Sequence, residues 1–222
     1  GLAEAIKVLD NPACVEAVTQ TIDFIFTKMS RDGFLLHTYK DGQGKLLGYL
    51  DDYAFVAVGL LDVYEAILDR SVLERSIQLA DVLLDEFWDE RGGGFFYTGK
   101  SHEQLITRTK PVFDASIPSG NAMATQLLLR LAHITGSEVY SKHAEAVLRA
   151  YHDTMESQPF GFAHLLCALD LCLNKPKEIV VVGKREAADT TGLFKQINQL
   201  YLPNSTLQLV GPDEPLENIS PM

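Results

Sequence analysis

Three stretches of the chain are apolar around the whole helical circumference, and each follows an amphipathic one. Residues 53–68 open Tyr53-Ala54-Phe55-Val56-Ala57-Val58 and run on through Leu60 and Leu61. Residues 121–134 carry Ala122, Met123, Ala124, Leu127, Leu128, Leu129, Leu131 and Ala132. Residues 162–173 carry Leu165, Leu166, Ala168, Leu169, Leu171 and Leu173. A helix without a polar face must be covered on every side. The stretches between them are different. Val15, Val18, Ile22, Ile25 and Met29 form one stripe, and Leu73, Ile77, Ala80, Leu84 and Phe87 form another. Buried and half-buried helices in alternation predict two concentric layers, an inner ring inside an outer one. Such a ring collects loops at one end of its axis, where they can build a pocket.

Helix starts are marked by Asn11-Pro12, by Ser71 with Glu74 as a capping box, and by Ser137. There is an internal repeat. Asp52-Tyr53-Ala54 leading into Leu60-Leu61-Asp62-Val63 corresponds to Gly120-Asn121-Ala122 leading into Leu128-Leu129-Arg130-Leu131, at an offset of 68 residues. Units of this kind bury their faces only against neighbours. The loops after the outer helices also match. Asp32-Gly33-Phe34 begins one apolar-aromatic run and Gly92-Gly93-Gly94-Phe95 another, so each is expected to form a short β-hairpin. Beyond Pro176 the pattern changes to a strand over 178–183, a helix over 186–201 and a strand over 206–210. The expected organisation is mainly α. A partial (α/α)6 toroid covers residues 1–175, a small C-terminal βαβ unit covers 176–211, and a poorly ordered tail covers 212–222.

Composition narrows the partners more than the fold. The chain has 222 residues and a formal net charge of −11, which disfavours nucleic acid and anionic membrane surfaces. No apolar run reaches membrane-spanning length and no signal-peptide pattern opens the chain, so a cytoplasmic protein is expected. Cys14, Cys167 and Cys172 have no metal spacing and read as buried free thiols. No phosphate loop, nucleophile elbow, dinucleotide fingerprint or zinc-ligand spacing occurs, so neither cofactor nor metal is expected.

Two clusters carry candidate chemistry. The first is Arg108, Lys110 and Asp114, followed by Ser119-Gly120-Asn121 at the start of an inner helix. A helix start offers free N–H groups and positive potential, suited to binding oxygens. The scaffolding alternative has Ser119 as a cap, Gly120 as a packing residue and Arg108 paired with Asp114. The second cluster, Asp51-Asp52-Tyr53, stands at the equivalent start of the preceding inner helix. One carboxylate is expected to cap the helix and the other to face the pocket. Two carboxylates in a water-poor site push one pKa up, which separates acid from base. Asp51 and Asp52 are therefore the candidate catalytic groups. The loops add His37, and among their aromatics Tyr39, Trp88, Phe95, Phe96 and Tyr97. Flat rings beside carboxylates and an arginine suit a sugar, whose C–H faces stack and whose hydroxyls take hydrogen bonds. The candidate ligand-binding set is Tyr53, His37, Tyr97, Arg108, Lys110, Asp114, Ser119 and Asn121.

Asp51-Asp52-Tyr53-Ala54, Phe87-Trp88-Asp89 with Gly93-Gly94-Phe95-Phe96, Arg108-x-Lys110-x-x-x-Asp114 and Pro118-Ser119-Gly120-Asn121-Ala122 together resemble the C-terminal part of YyaL-type proteins. These are the thioredoxin-domain proteins related to spermatogenesis-associated protein 20. The stretches Ile179-Val180-Val181-Val182-Gly183 and Tyr201-Leu202-Pro203-Asn204 are similar too. The resemblance implies an N-terminal thioredoxin-like domain absent from this chain. It also implies an (α/α)6 toroid similar to N-acylglucosamine 2-epimerases and six-hairpin glycosidases, of which this chain would be a C-terminal fragment. On that reading the toroid binds or processes a carbohydrate-like ligand and, if catalytic, is glycosidase- or epimerase-like. The alternative is a non-catalytic module that partners a thioredoxin-like redox domain. An open half-ring would also expose inner-helix surface, which favours self-association.

Overall fold

The computed structural model describes residues 1–9, 11–174 and 176–213. The chain begins with helix α1 (Leu2–Val8) and helix α2 (Pro12–Lys28). A three-stranded antiparallel sheet follows: β1 (Ser30–Arg31), β2 (Phe34–Lys40) and β3 (Gln43–Leu47). Helices α3 (Leu50–Ile67) and α4 (Arg70–Phe87) come next. After a long connection come α5 (Gly120–Thr135), α6 (Glu138–Ala150), the short α7 (His152–Ser157), a 3₁₀ turn (Pro159–Phe162) and α8 (Ala163–Leu173). The end is β4 (Lys177–Val182), α9 (Ala188–Asn198) and β5 (Ser205–Val210), with β4 and β5 parallel.

The layers follow the apolar pattern. Helices α1, α3, α5 and α8 lie side by side in that order, while α2, α4 and α6 pack outside them. The inner position of α5 shows in its burial: Gly120 to Thr125, Leu127 to Leu129, Leu131 and Ile134 are all buried. Outer helix α4 buries a single stripe that includes Val72, Leu79, Ala80, Leu83 and Phe87. The repeat sets the register between inner helices. Asp62 and Arg130, equivalent positions 68 residues apart, meet at 2.7 Å, and Glu65 adds a second carboxylate to the same guanidinium at 3.1 Å. Glu65 is buried and Arg130 nearly so, which is tolerable only because the two are paired.

Several local expectations change. Asp69, not Ser71, caps α4, accepting from the Ser71 backbone N–H and hydroxyl, because the helix begins one turn position earlier at Arg70. The first hairpin forms, with Asp41 and Gly42 both left-handed at its turn. The second does not: residues 91–98 make a single bridge, Trp88 to Phe95, because Gly93 and Gly94 are left-handed in succession and turn the backbone out of the extended form. The third inner helix, α8, is less enclosed than its composition predicts. Leu173 and Cys167 are exposed, and Cys14 and Cys172 are only partly buried, so the thiols are not core residues. The predicted helix over 186–201 is shorter, Ala188–Asn198. Of the expected tail, residues 214–222 lie outside the described residues.

The βαβ unit sits at the carboxyl ends of the inner helices. Glu178 on β4 reaches His133 near the end of α5, and Arg185 reaches Asp69 just beyond α3. The opposite end, where α3, α5 and α8 begin, is left to the loops. Among the described residues no helix is long and apolar enough to cross a membrane.

Candidate acid–base site at the inner-helix starts

Two aspartates tie the inner-helix starts together. Asp114 accepts from the backbone N–H of Ser119, the cap of α5, and from that of His164 in the first turn of α8 (2.8 Å each). Asp51, in the first turn of α3, lies against Gly120, the first residue of α5. A Cβ at Gly120 would collide with Asp51 Oδ1 and with the Leu50 side chain, so only glycine allows this approach. Three helix N-termini thereby converge on one pole, and their dipoles leave it positive in potential.

The two adjacent carboxylates are used differently. Asp52 Oδ2 accepts from the Tyr49 backbone N–H at 2.8 Å and also meets His37 Nδ1 at 2.8 Å. An ionised carboxylate only accepts, so the proton of this pair belongs on His37 Nδ1. In the neutral ring that leaves Nε2 with a lone pair, and the solvent reaches the ring. Asp51 Oδ1 is buried and has no hydrogen-bond partner. Burial, and then the charge of Asp52, push its pKa above the ordinary carboxylate value. The Gly120 amide pulls the other way without a well-aligned bond to Oδ1. One carboxylate thus tends to hold a proton, while its neighbour fixes a histidine in the form that can take one.

Aromatic rings flank this group. Tyr49 and Tyr97 stack with centroids 4.9 Å apart and planes 7° from parallel. His37 meets Tyr49 edge-on at 4.9 Å, and His102 lies 5.3 Å from the same ring. Burial and the charges of Asp51 and Asp52 raise the Tyr97 phenol pKa. His102 Nδ1 accepts from Gly99 N–H at 3.0 Å, which places its proton on a buried and unpartnered Nε2.

The remaining candidates build the scaffold. Tyr53 is fully buried, and its hydroxyl accepts from the Leu35 N–H at 2.9 Å; burial pushes its pKa up to about 12. Arg108 does not pair with Asp114. Its guanidinium donates to the carbonyls of Thr98 and Glu86 and lies over the Phe96 ring at 4.3 Å. Lys110 donates to Asp89 at 2.6 Å and to the Gly93 carbonyl at 2.8 Å. Ser119 accepts from Ala122 N–H as the cap of α5. Asn121 is fully buried, accepts from Phe95 N–H at 2.7 Å and donates to the carbonyls of Phe95 and Pro111 at 2.9 Å. His37, Asp51, Asp52 and Tyr97 therefore come together, and Tyr53, Arg108, Lys110, Asp114, Ser119 and Asn121 hold the elements around them. Tyr49 and His102 join the site without having been among the candidates. Tyr49 had a legible signal, since it stands three residues before Asp52 at a helix start. Among the described residues no three His, Cys, Asp or Glu side chains are grouped to hold a metal ion.

No family model matches the chain. It is 35% identical over 167 residues to spermatogenesis-associated protein 20 of Rattus norvegicus and of Homo sapiens, alignments that cover 75% of this chain and 21% of those proteins. An uncharacterized protein of Caenorhabditis elegans is 23% identical over 229 residues, covering 100% of this chain and 31% of that protein. The chain spans about a fifth of the length of the mammalian relatives. Among solved structures it is similar to a cellobiose 2-epimerase from Spirochaeta thermophila, with TM-score 0.53 and 18% identity over 68% of this chain and 40% of that one. It is also similar to a GH76 α-mannanase from Bacteroides thetaiotaomicron, with TM-score 0.53 and 18% identity over 68% of this chain and 41% of that one. Likeness at this identity shows the fold, an α/α toroid. Over the three quarters of its length that align, the chain is homologous to part of spermatogenesis-associated protein 20.

Proposed function

We propose that this pole of the toroid binds a carbohydrate-like ligand and exchanges protons with it. Asp51 acts as the acid. His37 Nε2 acts as the base, with Asp52 holding the ring and stabilising its charged form. Tyr49 and Tyr97 offer ring faces beside them. The observation that carries the reading is the unpartnered, buried oxygen of Asp51 next to the Asp52–His37 pair. Leaving a buried carboxylate oxygen without a donor costs free energy. Positions that accept this cost, with a pKa displaced by burial and a charged neighbour, cluster at functional sites. That the two solved structures described above are named for carbohydrate enzymes supports the ligand class.

The test is a thermal-shift panel of mono- and disaccharides on the full-length relative and on this chain, with Asp51→Asn, Asp52→Asn and His37→Gln alongside. At least one sugar is expected to raise the melting temperature of the wild type, with the shift reduced in all three variants. A panel without any shift, together with an Asp52→Asn variant altered only in stability, contradicts the reading.

A further inference from the structure

A cavity of about 620 Å³ adjoins the carboxylates, and Tyr49 and Tyr97 are common to both. Its other walls differ from the acid–base pole. Leu46, Leu47 and Leu105 line one part of it, and Thr98, Ser101, His102 and Glu103 supply its polar wall. Two features of this mouth are unusual for a soluble surface.

The first is Leu46. It lies within β3, yet its backbone is left-handed, with φ of 60°, and its side chain is 60% exposed. A left-handed leucine is strained by its Cβ, and a strand residue has no local need for that conformation. The ladder on either side is regular, pairing Leu36 with Leu47 and Thr38 with Lys45, so the departure sits opposite His37. The second is the segment 103–107. It is anchored on both sides: Ser101 donates to Glu86 through its N–H and hydroxyl, and Arg108 holds the Thr98 and Glu86 carbonyls. Between these anchors every residue is exposed, including Leu105 and a fully exposed Ile106. Apolar side chains held out at a cavity mouth are a binding feature more than a folding one.

We propose that this cavity is an apolar subsite, in which Leu46 on one side and Leu105 on the other flank an alkyl or aryl group carried by the ligand. The polar part of that ligand then lies at Asp51 and His37. The subsite deepens the acid–base reading above and rests on it for the identity of the polar part. It makes the preferred ligand amphipathic, a sugar bearing a hydrophobic substituent, rather than a free sugar.

The test separates the two readings by using a sugar-free probe. The fluorescent dye 1-anilinonaphthalene-8-sulfonate is titrated into the wild type, Leu46→Ser, Leu46→Gly and Leu105→Ser. Methyl glucoside, hexyl glucoside (below its micellar concentration) and hexanol are then used as competitors. Dye affinity is expected to fall several-fold in each variant. Leu46→Gly should melt no lower than the wild type, since glycine relieves the left-handed backbone and little packing is lost. Hexyl glucoside is expected to displace the dye far more effectively than methyl glucoside. Buried methylenes favour binding about fourfold each when fully covered, from roughly 0.8 kcal/mol per group. Displacement by hexanol but by neither glucoside supports the subsite and counts against the sugar reading. Dye affinity unchanged in Leu46→Ser, Leu46→Gly and Leu105→Ser overturns the subsite.

Discussion

The starts of α3 and α5 occupy equivalent places in the repeat and touch each other at Asp51 and Gly120, but they satisfy their polar groups in opposite ways. At α5 everything is used. Ser119 caps the helix, Asn121 makes three hydrogen bonds to two loop segments, and Asp114 takes two backbone amides. At α3 one carboxylate is used, by Tyr49 and His37, and the other is left with a buried oxygen and no partner. The richer cluster in the sequence is therefore the structural one, and the poorer cluster keeps capacity for chemistry. Density of polar residues does not identify a site. What identifies it is the polar capacity left over after the fold has taken its share.

That contrast can be broken by substitution. The largest effect is expected for Asn121→Ala, which leaves the N–H and C=O of Phe95 and the Pro111 carbonyl without their partner. Urea unfolding should show a loss of about 3 kcal/mol, at roughly 1 kcal/mol or more for each buried bond removed. Arg108→Ala follows, at about 2 kcal/mol, since two carbonyls lose a charged donor and Phe96 loses its cation. If Arg108→Ala instead keeps full stability and abolishes sugar binding, the assignment of this cluster to scaffold is wrong. Tyr53→Phe should cost about 1 kcal/mol by orphaning the Leu35 N–H, with little change in ligand shift.

The smallest effect at neutral pH is expected for Asp51→Asn, which should be neutral or stabilising, and its signature lies in the pH dependence. The folded chain holds the Asp51 proton more tightly than the unfolded chain does. Stability at this position therefore falls as pH rises from the ordinary value of 3.8 through the raised folded value, and the cost is full only above the latter. The advantage of Asp51→Asn over the wild type should be greatest near neutrality and vanish below about pH 4. Asp89 runs the other way. A hydrogen bond from Lys110 holds its carboxyl below the ordinary value, so its contribution is present above 3.8 and lost on further acidification. Urea midpoints of Asp89→Asn and Asp51→Asn against pH should therefore diverge.

Much of the fold was legible because inner and outer helices bury different fractions of their surface. Leu127, Leu128 and Leu131 on α5 have nowhere to go but inward, and the stripe on α4 needs only one neighbour. What the pattern could not carry was set by single backbone torsions or by distant partners. Gly93 and Gly94 look like a hairpin turn until their successive left-handed conformations are seen. Ser71 looks like a cap until Asp69 is found taking its amide. At the site, the adjacent aspartates and the helix start were readable, and so was a split in their roles. That His37 comes to Asp52 depends on β2 folding back over α3. That Arg108 goes to backbone carbonyls depends on where Thr98 and Glu86 lie. Neither distance is written in local sequence.

The most direct test of the account is a carbon-13 NMR titration of the Asp51 carboxyl in the wild type and in Asp52→Asn. The account predicts a midpoint above 3.8 in the wild type that moves part of the way down when the neighbouring charge is removed, because burial remains. A wild-type midpoint at or below 3.8 would mean that Asp51 is an ordinary solvated carboxylate, and it could not then serve as the acid of this site.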